Sequence, residues 1–255
     1  MSDRMPTLFL GHGSPENAIA DNAYTRRLAA LADELPRPEA ILMVSAHYMT
    51  EGSALTSAEH PRTIHDFYGF PEELFEVEYP APGAPHLAAD VAGLVGGSPD
   101  GRWGLDHGAW SPMRHIWPKA DVPTVELSID LSMPAKRHYE LGRALSGLRD
   151  QGVLVVASGN VVHNLGRIQW GDPEGGADWA HRFDDAAREI MLADPSSIGS
   201  LIDHPDYAAA VPTPDHFLPL AYVAGLSAAS GQPARTLIDG YAYGSLSMTC
   251  YVVGA

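Results

Sequence analysis

Cysteine is almost absent. Cys250 is the single one in 255 residues, so no disulfide can close within the chain and no cysteine pair stands at zinc-finger spacing. Basic charge is scarce as well: 16 Lys and Arg face 32 Asp and Glu, a formal charge of -16 that would repel a phosphate backbone or an anionic membrane surface. Neither nucleic acid nor membrane is an expected partner. No apolar run approaches the roughly 18 residues that a spanning helix needs. The opening MSDRMPTLFLGHG passes straight into a strand-like stretch without the apolar core of a signal peptide, so a reducing cytoplasm is the expected location. Three motifs are also missing. There is no HExxH pair, no G-x-G-x-x-G, and no lysine after GHGSP, which removes a zincin protease and leaves little support for a nucleotide site.

What is present alternates between strand and helix. Thr7 to Leu10 is apolar and PTVELSI strand-like, while ILMVSAH and VLVVASG are short apolar runs of the kind buried on both faces of a parallel sheet. Between them AYTRRLAALADEL, AKRHYELGRALSGLRDQ and DWAHRFDDAAREIMLA carry apolar residues at helical spacing. Near the end ARTLIDG and SLSMTCYVV read as two more strands, the second alternating as an edge or antiparallel member would. The expected fold is α/β, a single domain over residues 1–255 with a mixed central sheet flanked by helices. Residues 51–85 are dense in proline and aromatics and read as a flap or rim.

Four of the 12 histidines stand in short motifs rich in Gly, Ser and Pro: His12 in GHGSP, His47 in SAHY, His163 in SGNVVHNL and His216 in PDHFLPL. Neutral imidazole is the commonest protein ligand for a transition metal. Ligands in open α/β sheets bind outside the carboxyl ends of the strands, and His12, His47 and His163 each follow an apolar strand directly or within a few residues. The sheet would therefore carry them to one edge. Packing readings stand beside this one: His12 as a turn residue, His47 as a satisfied core histidine, His163 as a loop residue, and His216 beside Asp215 at the start of a helix. Asp106 and His107 in LDHGAW read equally as a site pair or as a buried pair bracing a loop. Tyr241 and Tyr243 read as pocket lining or as packing, Cys250 as a small core hydrophobe. His60, His65, His86, His115, His138, His181 and His204 read as solvated surface.

GHGSP, SAHY, LDHGAWSP, SGNVVHNL, PDHFLPL and the closing YGSLSM, in this order and spacing, resemble the class III extradiol ring-cleaving dioxygenases, a LigB-like superfamily. The similarity is to the branch of the DOPA 4,5-dioxygenases and covers nearly the whole chain. It implies an oxidoreductase that inserts O2 into a catechol, with ferrous iron as cofactor and a ring-opened semialdehyde as product. In the wider family two histidines and a glutamate hold the iron and another histidine handles the proton. By that resemblance His12 and His47 are metal ligands, His216 takes the glutamate's place, His163 is the acid/base, and His107 contacts substrate. The exchange of a carboxylate for an imidazole leaves metal preference open between iron and zinc.

Three protein ligands on one face of an octahedral ion leave room for a diol and dioxygen, and an imidazole titrating near neutrality suits proton transfer. Zinc would fit the same cluster, drawing in His163 as a fourth ligand, and three histidines with an open position also serve a hydrolase. A non-catalytic metal-binding relative is the third reading. The expected assembly is a monomer or small homo-oligomer.

Overall fold

In the computed structural model, residues 4–254 are described; the part of the N-terminal reading that rests on residues 1–3 lies outside them. In chain order the elements are β1 (Thr7–Gly11), α1 (Ala23–Glu34), β2 (Ala40–Met49), β3 (Ala54–Thr56), α2 (Glu72–Phe75), α3 (Pro85–Val95), β4 (Ser98–Asp100), α4 (His107–Ile116) and β5 (Thr124–Ile129). They continue with α5 (Ala135–Ala144), β6 (Val153–Gly159), α6 (Asp178–Ala193), α7 (Tyr207–Ala210), α8 (Leu218–Ser230), β7 (Ala234–Ile238), β8 (Tyr241–Ala242), β9 (Leu246–Ser247) and β10 (Cys250–Val253). Eight strands form one sheet in the order β4-β3-β5-β2-β6-β1-β10-β7. Its centre, β5-β2-β6-β1, is parallel, while β10 and β7 extend one side antiparallel, so the sheet is mixed as expected.

Successive strand residues point to opposite faces, and the buried side chains sort accordingly. Phe9, Leu42, Val44, Val153, Val155 and Ala157 pack into one cluster with α5, α6 and α8. Leu8, Leu10, Ile41, Met43, Leu154 and Val156 pack into the other with α1 and α4. Burial on both faces is why these strands read as continuous apolar runs without alternation. At about 25 cal/mol per Å2 such burial is the main stabilising term of the fold.

Three readings need correction. AKRHYELGRALSGLRDQ is not one helix: α5 ends at Ala144 and the chain tightens into a 3-10 turn over Leu145–Gln151, because Gly152 at φ 77° closes the segment before β6. SLSMTCYVV divides into β9 and β10; β10 is the antiparallel member expected, but it lies inside the sheet between β1 and β7 rather than at the edge. His138 is fully buried, its ring bonded to the Tyr222 hydroxyl and the Asp130 carbonyl. Its place on the inner face of α5 was not visible in that helix's polar surroundings. His65 and His115 are half-buried, each bonded to a carbonyl, that of Val77 and of Asn17; His204 is half-buried too, with its Nδ1 accepting from the Asp206 amide. His60, His86 and His181 are exposed. No helix among the described residues is long and apolar enough to cross a membrane.

Candidate metal centre

The parallel strands end together, and their carboxyl edge carries the histidines. His12 follows Gly11 directly, with its amide on the Gly159 carbonyl at the end of neighbouring β6. Only a residue without Cβ fits at Gly11, where that atom would lie 2.8 Å from the Thr249 carbonyl oxygen. His47 does not follow its strand but sits in it. β2 runs on to Met49 after its register with β5 shifts beyond Val44, and His47 stands in this irregular extension. His163 lies four residues past Gly159, its amide held by the Ala210 carbonyl. His216 comes from the loop before α8. Its carbonyl accepts from the Asn160 amide and sits 2.2 Å from where a Gly159 Cβ would be. His107 opens α4, capped by Asp106 through the Ala109 amide.

These residues converge. One ring nitrogen from each of His12, His47 and His216 lies within 4.8 Å of the other two. Nε2 of His12 and Nε2 of His47 are 3.1 Å apart. Two nitrogens bound about 2.1 Å from one ion at a right angle stand about 3 Å apart, so this separation suits a shared first-row metal. The outer nitrogens are engaged. Ser158 Oγ gives its proton to the Gly108 carbonyl at 2.6 Å and so accepts from His12 Nδ1 at 2.9 Å. His216 Nδ1 donates to the Asp215 carboxylate. Both imidazoles thus keep the Nε2 lone pair for the centre, the arrangement in which a histidine ligand is oriented by a partner on its far nitrogen.

His163 stands apart from this triad. Its ring lies flat against that of His216, centroids 3.5 Å apart, and its ligand atom groups with those of Asp215 and His216. His107 packs against His47 with centroids 4.0 Å apart, and its partner is Asp66: Nδ1 and the backbone amide reach Oδ1 at 2.9 and 3.0 Å. Asp106 is not that partner. It is bonded instead to Ser45 at 2.7 Å and lies, fully buried, beside Glu126; desolvation pushes both acids above their ordinary range, seconded by the Asp66 charge at Asp106 and by the Asp106 charge at Glu126. Asn164 caps the Leu165–Arg167 turn and bonds Ala209, so it orients the loop rather than a ring.

Burial, then the neighbouring imidazoles, holds His12 and His47 well below the usual histidine range; the same causes bring His163 down to about 3. These three rings are neutral at neutral pH. Burial would raise the carboxyls of Asp66 and Asp215, but the hydrogen bonds from His107 and His216 outweigh it and hold both below the ordinary carboxylate range. His12, His47 and His163 thus lie uncharged beside the ionised carboxylates of Asp66 and Asp215.

Asp66, Ser158, Asn160 and Asp215 escaped the sequence reading as site residues. Asn160 ties the edge together: Oδ1 accepts from the Gly13 amide at 3.3 Å and Nδ2 donates to the Ser247 carbonyl at 2.7 Å. Its position in SGN, directly after a buried strand, was the available signal. Residues 51–85 do form a rim, delivering Asp66 and the ring of Phe67, which lies edge-on to His107 at 5.6 Å. Tyr241 packs on His181 and bonds Asp184, Tyr243 packs on Trp170, and Cys250 is buried under Gly11.

A mixed sheet with a histidine triad at its carboxyl edge defines a metal-binding α/β protein. The family of the catalytic LigB subunit of aromatic ring-opening dioxygenase matches residues 6–254, and the chain belongs to this family of extradiol dioxygenases. A 4,5-DOPA dioxygenase extradiol of Escherichia coli K12 is 45% identical over 99% of this chain and 96% of its own length. One from Beta vulgaris is 34% identical over 96% and 95%. A crystal structure of an uncharacterized Escherichia coli K12 protein superposes with a TM-score of 0.85 at 40% identity, covering 98% of this chain and all of that one.

Proposed function

We propose that the chain is a ferrous-iron extradiol dioxygenase that opens a catechol ring, with a DOPA-like molecule cleaved at the 4,5 bond, and that His12, His47 and His216 hold the iron. The convergence of three imidazole nitrogens with outward protons on His12 and His216 carries this reading. The names of the relatives supply the substrate class. When bound, iron supplies positions for both diol oxygens and for O2 and a path for electrons between them.

The chain's own residues do the rest. Neutral rings leave the ion's full charge to favour an anionic diol. His163, outside the triad and stacked on His216, would take the substrate hydroxyl proton and return it on ring opening. Its depressed proton affinity suits prompt return, and the Asp215 carboxylate favours the transient imidazolium. His107, fixed by Asp66, faces the substrate, with Phe67 as apolar wall. The grouping of His163 away from the triad favours three protein ligands with open positions over a tetrahedral zinc site. A reducing cytoplasm suits both ferrous iron and the lone thiol.

Anaerobic loading with Fe2+, then air and DOPA, is expected to consume O2 in proportion to DOPA and to give a yellow ring-opened product. Turnover that ignores O2 and persists with Zn2+ would overturn the proposal in favour of a hydrolase.

A further inference from the structure

His47 is the one member of the triad whose proton position is contested. Its Nε2 lies 3.1 Å from Nε2 of His12, and its Nδ1 lies 3.2 Å from Oδ2 of Asp66. His12 Nε2 is a bare acceptor, because its Nδ1 proton is already given to Ser158. Without a metal, His47 has two choices. A proton on Nε2 would bond to His12 and close the pair on itself, with the lone pair needed for a cation used up; a proton on Nδ1 lies at ion-pair distance from the Asp66 carboxylate, without hydrogen-bond alignment, and leaves two lone pairs aimed at one point.

We propose that Asp66 sets the tautomer of His47, holding its proton on Nδ1 so that the paired Nε2 atoms of His12 and His47 stay open to a cation. The inference rests on His47 being a ligand. If the proton sat on Nε2, the bare Nδ1 would confront a carboxylate oxygen at 3.2 Å, lone pair against anion. Oδ1 is unavailable to relieve this contact, since it accepts both His107 bonds. One carboxylate therefore serves two rings, bonding His107 through Oδ1 and setting the charge beside His47 Nδ1 through Oδ2.

Asp66 can do this because its loop is fixed from both sides. The Ile64 amide bonds the Leu105 carbonyl at 2.7 Å, Trp110 Nε1 bonds the Ile64 carbonyl at 2.8 Å, and Phe67 packs among Phe70, Phe75 and Trp110. The rim segment thereby reaches the metal site through a positioning residue.

Asp66→Asn gives a selective test. The amide oxygen replaces Oδ1 toward His107, while the amide NH2 replaces Oδ2 and turns a donor toward His47 Nδ1, which then favours a bare Nδ1. Two-bond 15N–1H correlation spectra of the 15N-histidine-labelled, metal-free protein are expected to show His47 protonated on Nδ1 in the wild type and on Nε2 in D66N. His107 should keep its Nδ1 proton in both, which reports an intact fold. Zn2+ affinity by calorimetry should fall about 10- to 100-fold in D66N, and D66A, which removes the carboxylate without adding a donor, should fall similarly. A wild-type His47 protonated on Nε2, or a D66N protein with the Nδ1 proton unmoved, overturns the proposal. A wild-type chain with the expected tautomer that binds no Zn2+ overturns the metal half of it and the proposed function with it, while the tautomer assignment to Asp66 is upheld.

Discussion

The imidazoles of His163 and His216 lie face to face, 3.5 Å between centroids and 1° between planes. A ring stacked in this way presents its nitrogens alongside its neighbour's, and that neighbour's Nε2 is committed to the triad. His163→Ala should therefore keep metal binding while turnover falls by about 10²- to 10⁴-fold, the usual contribution of a positioned acid/base. His12→Ala and His47→Ala should abolish metal binding itself. Calorimetric titration with Zn2+ beside oxygen uptake with Fe2+ separates the two outcomes; loss of metal in H163A would make His163 a ligand.

Ser158 is expected to matter to the metal through His12. Replacing it by alanine removes the only acceptor paired with His12 Nδ1 and frees the Gly108 carbonyl. The ring then loses both its orientation and its fixed proton. Zn2+ affinity should drop about 10- to 100-fold in S158A, with a stability loss of about 1–3 kcal/mol from buried groups left unpaired. An unchanged affinity would show that packing alone holds His12.

Much of this centre could be read in the chain because local sequence and topology agree. Gly11-His12 and Gly159-Asn160 end buried apolar runs, and parallel strands must finish at one edge, so the histidines nearest those ends had to meet. What could not be read was pairing across distant loops. Asp66 lies in an irregular, aromatic-rich segment with no period to place it, and its two imidazole partners are 19 and 41 residues away. Asp106 stood next to His107 in sequence and drew attention for that reason, yet a helix N-cap turns its side chain back along the helix and away from its neighbour's ring. The burial of His138 was hidden likewise, since a polar helix of modest length does not announce which turn meets α8.

Gly108 is where α4 comes close enough to support His47. A Cβ there would stand 2.8 Å from Ser45 Oγ and 3.0 Å from His47 Cδ2. Gly108→Ala must therefore push the imidazole or the helix start. The expected result is a stability loss of about 1–3 kcal/mol by overpacking together with weaker Zn2+ binding. Gly93, on the outer part of α3, meets nothing within 4 Å and provides the control: G93A should bind metal normally and gain up to about 1 kcal/mol. Denaturant titration and calorimetry on the two variants decide whether the contact or the helix propensity governs.

Acid should destabilise the metal-free protein in a window set by its histidines. His12, His47, His115, His138 and His163 all have folded-state values depressed first by burial, His163 to about 3. Unfolded, each takes a proton near pH 6.5, so below that point the unfolded chain binds more protons and stability falls as pH falls, by about 1.4 kcal/mol per histidine per pH unit until the folded value is reached. Asp106, Glu126 and Asp184 act in the opposite sense, because burial raises them and the folded state retains their protons where the unfolded chain has lost them. Five groups against three leave a net loss between about pH 6.5 and pH 5. Thermal melts of the chelator-treated protein should show Tm falling across that interval, and His138→Gln, remote from the metal centre, should make the fall shallower. A Tm that is flat or rises toward pH 5 would mean that the buried acids, not the histidines, govern this window.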